Sequence, residues 1–374
     1  MLNFDVTPHV SELKDLDNKL AKVYGRVKNY SQDELIFIRK LAKASIIGAS
    51  TRIENAQLTD LEINWLDTLL ETSSKPTAFE ECRLQIENKF SKDRERSYEE
   101  VAGCRQMLQI IFEQFEEMKP FRETDLRGLH CVLMSPYSHA GPYIGEYKVQ
   151  PNFVVEYNRE TKNSRVVFKT AEAGPITETA MADLMFWYNQ EIETQPWPIA
   201  VAAEFVFRFL AIHPFQDGNG RLGRGLFVLS LLQSNQDILK TVIPLISIDR
   251  QIEKHKEEYY FTLNRCSDGI YQSDPKNYKT HYFLKFLIKM IANSLEDVEV
   301  YHQRFINIQK LSEASVVIYE CFKSYPEIRL TTQKIAEETR ISKRTVVYSL
   351  NQLLEYNLIQ KYGQGVSTRY QMTF

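Results

Sequence analysis

His213, Asp217, Arg221 and Arg224 fall within a stretch of twelve residues, His-Pro-Phe-Gln-Asp-Gly-Asn-Gly-Arg-Leu-Gly-Arg. Each residue type brings a different chemistry. A histidine has an unperturbed pKa near neutrality and can accept a proton from an attacking hydroxyl. Asp217 offers a hard carboxylate, and Mg²⁺ takes one or two carboxylates together with phosphate oxygens and waters. Gly218, Asn219 and Gly220 form a turn whose backbone can reach angles closed to residues with a Cβ, so its N–H groups can converge on an anion at the start of a helix. Arg221 and Arg224, three apart, share a helix face and can bind phosphate or carboxylate bidentately. Phe215 is an apolar anchor for the loop. Singly, each residue fits an ordinary helix N-terminus; together they predict a phosphate-handling site. No Lys-Ser or Lys-Thr follows the glycines, so the stretch is not a P-loop.

The elements that must position this loop are mostly helical. Before it, Pro198–Ile212 is apolar apart from Glu204 and Arg208, which predicts a buried central helix opening at a proline. Pro214 biases His213 toward an extended backbone that ends this helix. Upstream, Ser31 with Glu34 and Thr59 with Glu62 are capping-box patterns. The first opens a helix carrying Ile36, Ile38, Leu41, Ile46 and Ile47 toward Ser50, Glu54 and Asn55; the second carries Ile63, Leu66, Leu69 and Leu70. Residues 72–77 read as a connection and 91–96 as a solvated charge run. Residues 100–134 read as helices, with His130 a hydrogen-bonded core histidine. The helical pattern then breaks. Gly145 is a turn signal, while Tyr147, Val149, Phe153, Val154, Val155 and Tyr157, then Val166, Val167 and Phe168, are strand formers. A β-hairpin is expected, either a structural loop or a flap that holds a peptide by strand addition. Helix resumes with Met181, Leu184, Met185 and Trp187 on one face.

Composition sets wider bounds. A chain of 374 residues with 43% hydrophobic and 25% charged residues suits two or three ordinary folded domains. The net charge of −3 excludes a chain that is basic throughout, so any nucleic-acid surface must be local. Five scattered cysteines, with no C-x-x-C pair, point to reduced thiols and a cytoplasmic location. No apolar run approaches the roughly 18 to 20 residues of a membrane span, and no basic segment precedes an apolar core at the N-terminus, so neither membrane insertion nor export is expected.

Near Leu311 a new unit begins. Two short helical patterns around Ile335 and Val346 flank a turn at Arg340, and a strand-turn-strand with Gly363 and Gly365 at its tip follows, as in a winged helix-turn-helix. Residues 331–374 hold six Lys and Arg against three Glu, a local +3 that fits a phosphate-facing surface. On DNA, Lys343, Arg344, Thr345 and Tyr348 would approach the major groove, with Lys361 and Arg369 near the backbone. A protein-binding or dimerisation module remains the alternative.

The stretch from His213 to Arg224 matches the signature H-P-F-x-[D/E]-G-N-G-R-x-x-R at every specified position, and the chain thereby resembles the Fic (filamentation-induced-by-cAMP) family. The resemblance implies a mainly α fold: a Fic-type helical domain with a β-hairpin flap, plus a small C-terminal winged-helix domain. The expected boundaries are an N-terminal helical region at 1–98, a catalytic domain at 99–304 and a winged helix-turn-helix at 305–374. It implies that His213 activates a target hydroxyl, that Asp217 holds Mg²⁺, that the backbone of Gly218, Asn219 and Gly220 binds the phosphates of ATP, and that Arg221 contacts them. Gly145, Tyr147 and Lys148 are similar to the family's flap, with Lys148 where Arg is usual. Ser50, Glu54 and Asn55 match the inhibitory pattern [S/T]-x-x-x-E-[G/N]. Residues 248–260, including Tyr259, resemble the helix beside the nucleotide base, while Cys266 and Ser267 depart from the usual Ala-Asn.

By implication the chain transfers AMP from ATP to a Ser, Thr or Tyr of an unidentified target protein or of itself, releasing pyrophosphate. Glu54 can pair with Arg224 and deny it to the γ-phosphate. Two alternatives stay open: a different phosphate-containing donor or the removal of AMP, and a nucleotide-sensing DNA-binding regulator. A homodimer is among the assemblies the sequence allows.

Overall fold

Apolar positions recurring at helical spacing account for most of the architecture. In the computed structural model, which describes residues 1–71, 78–90, 94–137, 140–158, 163–326 and 328–373, helices dominate. They are α1 (Val10–Val27), α2 (Gln32–Ile53), α3 (Asp60–Glu71), α4 (Ala78–Lys89), α5 (Glu95–Gln114), α6 (Glu123–Met134), α7 (Pro175–Glu191), α8 (Pro198–Ile212), α9 (Asn219–Gln233), α10 (Asp237–Val242), α11 (Ile248–Lys254), α12 (Lys256–Ser267), α13 (His281–Ser294), α14 (Asp297–Gln309), α15 (Glu313–Ser324), α16 (Thr332–Thr339) and α17 (Lys343–Glu355). Two antiparallel pairs complete the fold: β1 (Phe153–Asn158) with β2 (Asn163–Lys169), and β3 (Ile359–Tyr362) with β4 (Arg369–Met372). No described helix is long and apolar enough to cross a membrane.

The centre is α8, in which every residue from Pro198 to Ile212 is buried, including Glu204 and Arg208. Those two charges lie one turn apart and pair at 3.4 Å. Helices α7, α9 and α13 pack around α8. The helix therefore ends at a fixed place, and the residue after its last turn, His213, is delivered there. Pro214 does not extend His213. The backbone turns left-handed, φ 53° and ψ 59°, and the His213 N–H still closes the helix on the Phe209 carbonyl at 2.8 Å. A proline disfavours the right-handed helical region before it, and the left-handed turn satisfies that restriction while reversing the chain more sharply.

Both expected capping boxes form: Glu34 accepts the Ser31 N–H at 2.6 Å, and Glu62 accepts the Thr59 N–H at 2.7 Å. The first starts α2, whose buried face includes Ile38, Leu41, Ile46 and Ile47, whereas Ile36 is exposed. The connection at 72–77 and residues 91–93 of the charge run lie outside the described residues. The rest of that run is solvated only in part: Arg96 is largely exposed although its tip meets Glu100, while Arg94 pairs with buried Glu62. Residues 248–260 are not one helix either, since the chain breaks at His255 between α11 and α12. Residue 98 lies within α5 and residue 304 within α14, which packs on α2 with Phe305 edge-on to Phe37 and His302 bonded to Glu34.

The hairpin is shorter than the strand-forming residues suggested. Phe153 pairs with Lys169 and Val154 with Phe168, the register shifts by a bulge, and Val155 then pairs with Val166. Tyr147 joins no strand; it makes a single antiparallel bridge to Phe215. Pro151 lies between the two segments and has no N–H to continue a ladder.

Helices α15, α16 and α17 enclose a second, smaller core with the β3–β4 hairpin, and Leu61 of α3 is buried within it. Lys89 of α4 also reaches this unit, donating to the Ser324 carbonyl at 2.7 Å. Leu61→Ala is expected to remove about 2–3 kcal/mol from the docking of this unit. Hydrogen exchange would then show α15–α17 losing protection before the central helices; equal protection in both chains would show that Leu61 does not hold the two cores together.

Candidate functional site

The loop after α8 is braced from three sides before any of its chemistry begins. Asn219 is buried and spans the turn, accepting the Phe215 N–H at 3.0 Å and donating to the Phe215 carbonyl at 2.7 Å. Its side chain is thus a brace, and its backbone N–H is left for a ligand. His130 stacks on Phe215 at 3.8 Å between ring centroids. The His130 Nδ1 accepts the Gly145 N–H at 2.9 Å, so its Nε2 carries the proton toward the Asp217 carbonyl at 3.1 Å. Gly145 itself has φ 75°, a left-handed value suited to glycine.

Lys148 completes the brace. Its N–H donates to the Pro214 carbonyl at 2.7 Å, and its ammonium donates to Ile212 O, Asn152 Oδ1 and Thr170 Oγ1 at 2.9–3.0 Å. Burial pushes this ammonium down to about 7. Three oxygen acceptors for three N–H bonds favour the charged form against that burial, and we regard Lys148 as a cation on the C-terminal end of α8. Gly145, Tyr147 and Lys148, expected in the flap, are instead its base. Among the hairpin residues whose side chains are described, the exposed apolar ones are Phe153, Val155 and Val166.

His213 donates Nδ1–H to the Leu210 carbonyl at 3.2 Å, which leaves Nε2 as the lone-pair nitrogen. Burial, then the Lys148 charge, lowers its pKa to about 4, so the imidazole is neutral at pH 7. It lines a cleft of about 230 Å³ with Glu54, Leu210, Gln216, Asp217, Gly218, Asn219, Gly220, Arg221, Tyr259, Tyr260, Leu263 and residues 152–155. Grooves of about 520 and 490 Å³ lie elsewhere on the surface, but neither is lined by the motif. Cys266 and Ser267 are not part of the cleft lining, which ends at Leu263.

The N-terminus of α9 opens into this cleft. Gly218 takes φ 81°, and the N–H groups of Asn219, Gly220 and Arg221 have no intrahelical partner, as at any helix start. A Cβ on Gly220 would collide with the Glu54 carboxylate, so glycine there admits an anion against the backbone. Asp217 is half-exposed, with Oδ1 accepting the Gly218 N–H at 2.6 Å. Arg221 is buried and pairs with the Tyr137 hydroxyl.

Arg224 is buried beneath the end of α2. Its Nε donates to Ser50 Oγ at 2.8 Å, and its Nη2 to Ser50 O at 2.8 Å and Glu54 Oε1 at 2.9 Å. Burial would raise the Glu54 pKa, but Arg224 foremost, then Arg221, holds its carboxyl below the usual range. Asn55 takes φ 77°, the left-handed cap after α2 that Gly and Asn adopt most readily. Lys256 donates to the Ile53 carbonyl at 2.6 Å, and Arg52 grips Glu253 at 2.6 and 2.9 Å. The segment with Ser50, Glu54 and Asn55 is therefore fastened to α11 and α12 as well as to α9.

Sequence reasoning missed Asp249, whose Oδ1 lies 3.3 Å from Arg224 Nε. Its position carries no motif or periodic signal; only folding brings α11 beside α9. Tyr259 is buried close to Arg224, and burial pushes its hydroxyl up to about 12.

The Fic/DOC family profile matches residues 120–231. A protein adenylyltransferase fic-1 of Caenorhabditis briggsae is 26% identical over 236 residues, covering 59% of this chain and 37% of that protein. The chain thus spans little more than a third of that relative's length. A Fido domain-containing protein of Dictyostelium discoideum is 34% identical over 121 residues, covering 29% of this chain and 80% of that one. A Fic family protein from Desulfovibrio desulfuricans G20 shares the fold, with a TM-score of 0.55 at 20% identity over 100% of this chain and 98% of its own. With the motif loop, its brace and these relatives together, the chain belongs to the Fic/DOC family.

Proposed function

We propose that the chain is a protein adenylyltransferase, transferring AMP from ATP to a hydroxyl side chain of a protein, and that Glu54 holds it inactive. The observation that carries this is the pairing of a neutral histidine, its Nε2 lone pair open to the cleft, with a helix N-terminus built for an anion. In the forward step, His213 Nε2 takes the proton of the target hydroxyl. That oxygen bonds to the α-phosphorus, and the bond from the α-phosphorus to its bridging oxygen breaks, so pyrophosphate leaves. The N–H groups at the start of α9 bind the phosphates, Arg221 adds its charge, and the flap edge at Phe153 and Val155 presents the target as an added strand.

Asp217 fits a Mg²⁺ ligand. Its carboxylate is half-exposed and lines the cleft beside the start of α9. One carboxylate completed by water and phosphate oxygens is the usual Mg²⁺ pattern. When bound, Mg²⁺ supplies charge to offset that developing on the phosphates.

Inhibition follows from space and charge. The cleft of about 230 Å³ is below the roughly 300–1,000 Å³ of small-molecule sites, and the Glu54 carboxylate lies in it against Gly220. While Arg224 is paired with Glu54, it is not available to a γ-phosphate. The five free thiols suit a reducing cytoplasm.

For the C-terminal unit we propose DNA as partner, acting as a winged helix-turn-helix. Helix α17 buries Val346, Ser349, Leu350 and Leu353 and exposes Lys343, Arg344, Thr345 and Tyr348, so its polar and basic side is turned outward.

Glu54→Gly should raise label transfer from α-phosphate-labelled ATP about tenfold or more, the worth of one charge-assisted contact. Adding His213→Ala should then lower it about 10²–10⁴-fold. Unchanged transfer in folded Glu54→Gly protein would sink the inhibitory role, and transfer surviving His213→Ala would sink the base. A second expectation concerns pH. His213 must be unprotonated, so kcat/KM should be level across neutral pH and fall on the acid side as pH approaches about 4. The negative charge of bound phosphates favours imidazolium, so the acid limb of kcat should lie at higher pH than that of kcat/KM. An acid limb for kcat below that of kcat/KM would contradict the assignment. For the C-terminal unit, fluorescence anisotropy with mixed duplexes at low salt should show binding that Lys343→Glu with Arg344→Glu weakens roughly tenfold or more. Absence of binding by the wild-type chain would remove DNA as the partner.

A further inference from the structure

Arg96 lies on α5, outside the residues 120–231 matched by the family profile, yet its tip reaches the motif loop. The side chain is 69% exposed, and its Nε donates to Glu100 Oε1 at 3.1 Å while its Nη2 donates to Asp217 Oδ2 at 3.2 Å. Glu100 is buried, and its Oε1 also lies 3.8 Å from Arg221 Nη1. Arg221 Nη2 in turn lies 3.5 Å from Asp217 Oδ1. Two guanidinium groups and two carboxylates therefore close a ring. The Tyr137 ring is shared by both cations, 5.9 Å from Arg96 and 5.3 Å from Arg221.

The two Asp217 oxygens are not equivalent. Oδ1 is committed to the Gly218 N–H, and Oδ2 is the one that Arg96 holds. A divalent cation arriving at Asp217 meets a positive charge already seated there, and like charges at such range repel. Nothing in the transfer step itself requires Arg96.

We propose that Arg96, steadied by Glu100, is a place-holder cation for the metal position: it neutralises Asp217 in the nucleotide-free chain and gives way when a divalent cation arrives with the phosphates. The proposal rests on the reading of Asp217 as a metal ligand. It makes Arg96 a positioning residue that sets how strongly Mg²⁺ assists nucleotide binding. Exposed ion pairs are weak and screened by salt, so the effect is about two- to five-fold and shrinks as ionic strength rises.

The test is calorimetric and independent of turnover. The full chain carrying Glu54→Gly is titrated with an ATP analogue that has a methylene between its α and β phosphates, with and without Mg²⁺. The readout is the ratio of the two dissociation constants. Adding Arg96→Ala should increase the Mg²⁺ advantage about two- to five-fold at low salt and less at high salt, with Arg96→Lys in between. An unchanged or reduced Mg²⁺ advantage in Arg96→Ala overturns the place-holder. Asp217→Asn should bring the ratio close to one. If it leaves the ratio as in the parent, the metal assignment of Asp217 fails, and the place-holder falls with it, a result distinct from an effect confined to Arg96.

Discussion

A buried guanidinium has to be matched by acceptors that are themselves in place, because an uncompensated charge in the interior costs several kcal/mol. Arg224 imposes that constraint on this fold. Its side chain is 4% exposed, and its partners come from the end of α2 and from α11. Satisfying one arginine therefore fixes how two helices from distant parts of the chain sit against α9. The two carboxylates are not alike. Asp249 is buried, and burial raises its pKa, whereas Glu54 lies at the cleft, where the neighbouring cations hold it ionised. Ser50 takes the guanidinium through Oγ and its carbonyl, the buried Asp249 carboxylate lies 3.3 Å from Nε, and Glu54 is the partner that lines the cleft. In the proposed inhibition, this contact sits where a phosphate would compete for the same arginine.

The sequence made local chemistry plain and distant chemistry invisible. The motif loop, the buried helix before it and both capping boxes depend on residues within a few positions of each other, and spacing alone locates them. Arg96 and Asp217 are 121 residues apart. The charge run around Arg96 reads as a solvated face, and Arg96 is indeed largely exposed; side-chain length, which no sequence pattern records, lets its tip meet Asp217 and Glu100. The same limit hid Asp249. Strand propensity failed at Tyr147 for a different reason. The Lys148 N–H is taken by the Pro214 carbonyl, so the segment is spent on bracing the loop and the ladder starts only at Phe153. At His213 the rule that a proline extends its predecessor gave way to a second permitted conformation, one that turns the chain more tightly.

Two histidines in the site show how neighbours assign roles to chemically identical groups. Both are buried enough that their pKa values fall to about 4, and both are neutral at pH 7. Burial alone therefore does not distinguish a base from a strut. The hydrogen bonds do. His130 spends both nitrogens, accepting from Gly145 at Nδ1 and donating to the Asp217 carbonyl at Nε2, and its ring face is covered by Phe215. His213 spends only Nδ1, on the Leu210 carbonyl, and among the described residues nothing in the chain bonds its Nε2. The carbonyl that fixes the tautomer belongs to α8 itself, three residues back. The helix that positions His213 thus also decides which nitrogen carries the proton, and that helix is buried up to its last turn. His130 is thus a strut with both nitrogens spent, while His213 keeps one free at the edge of a cleft, which is what its proposed role as base requires.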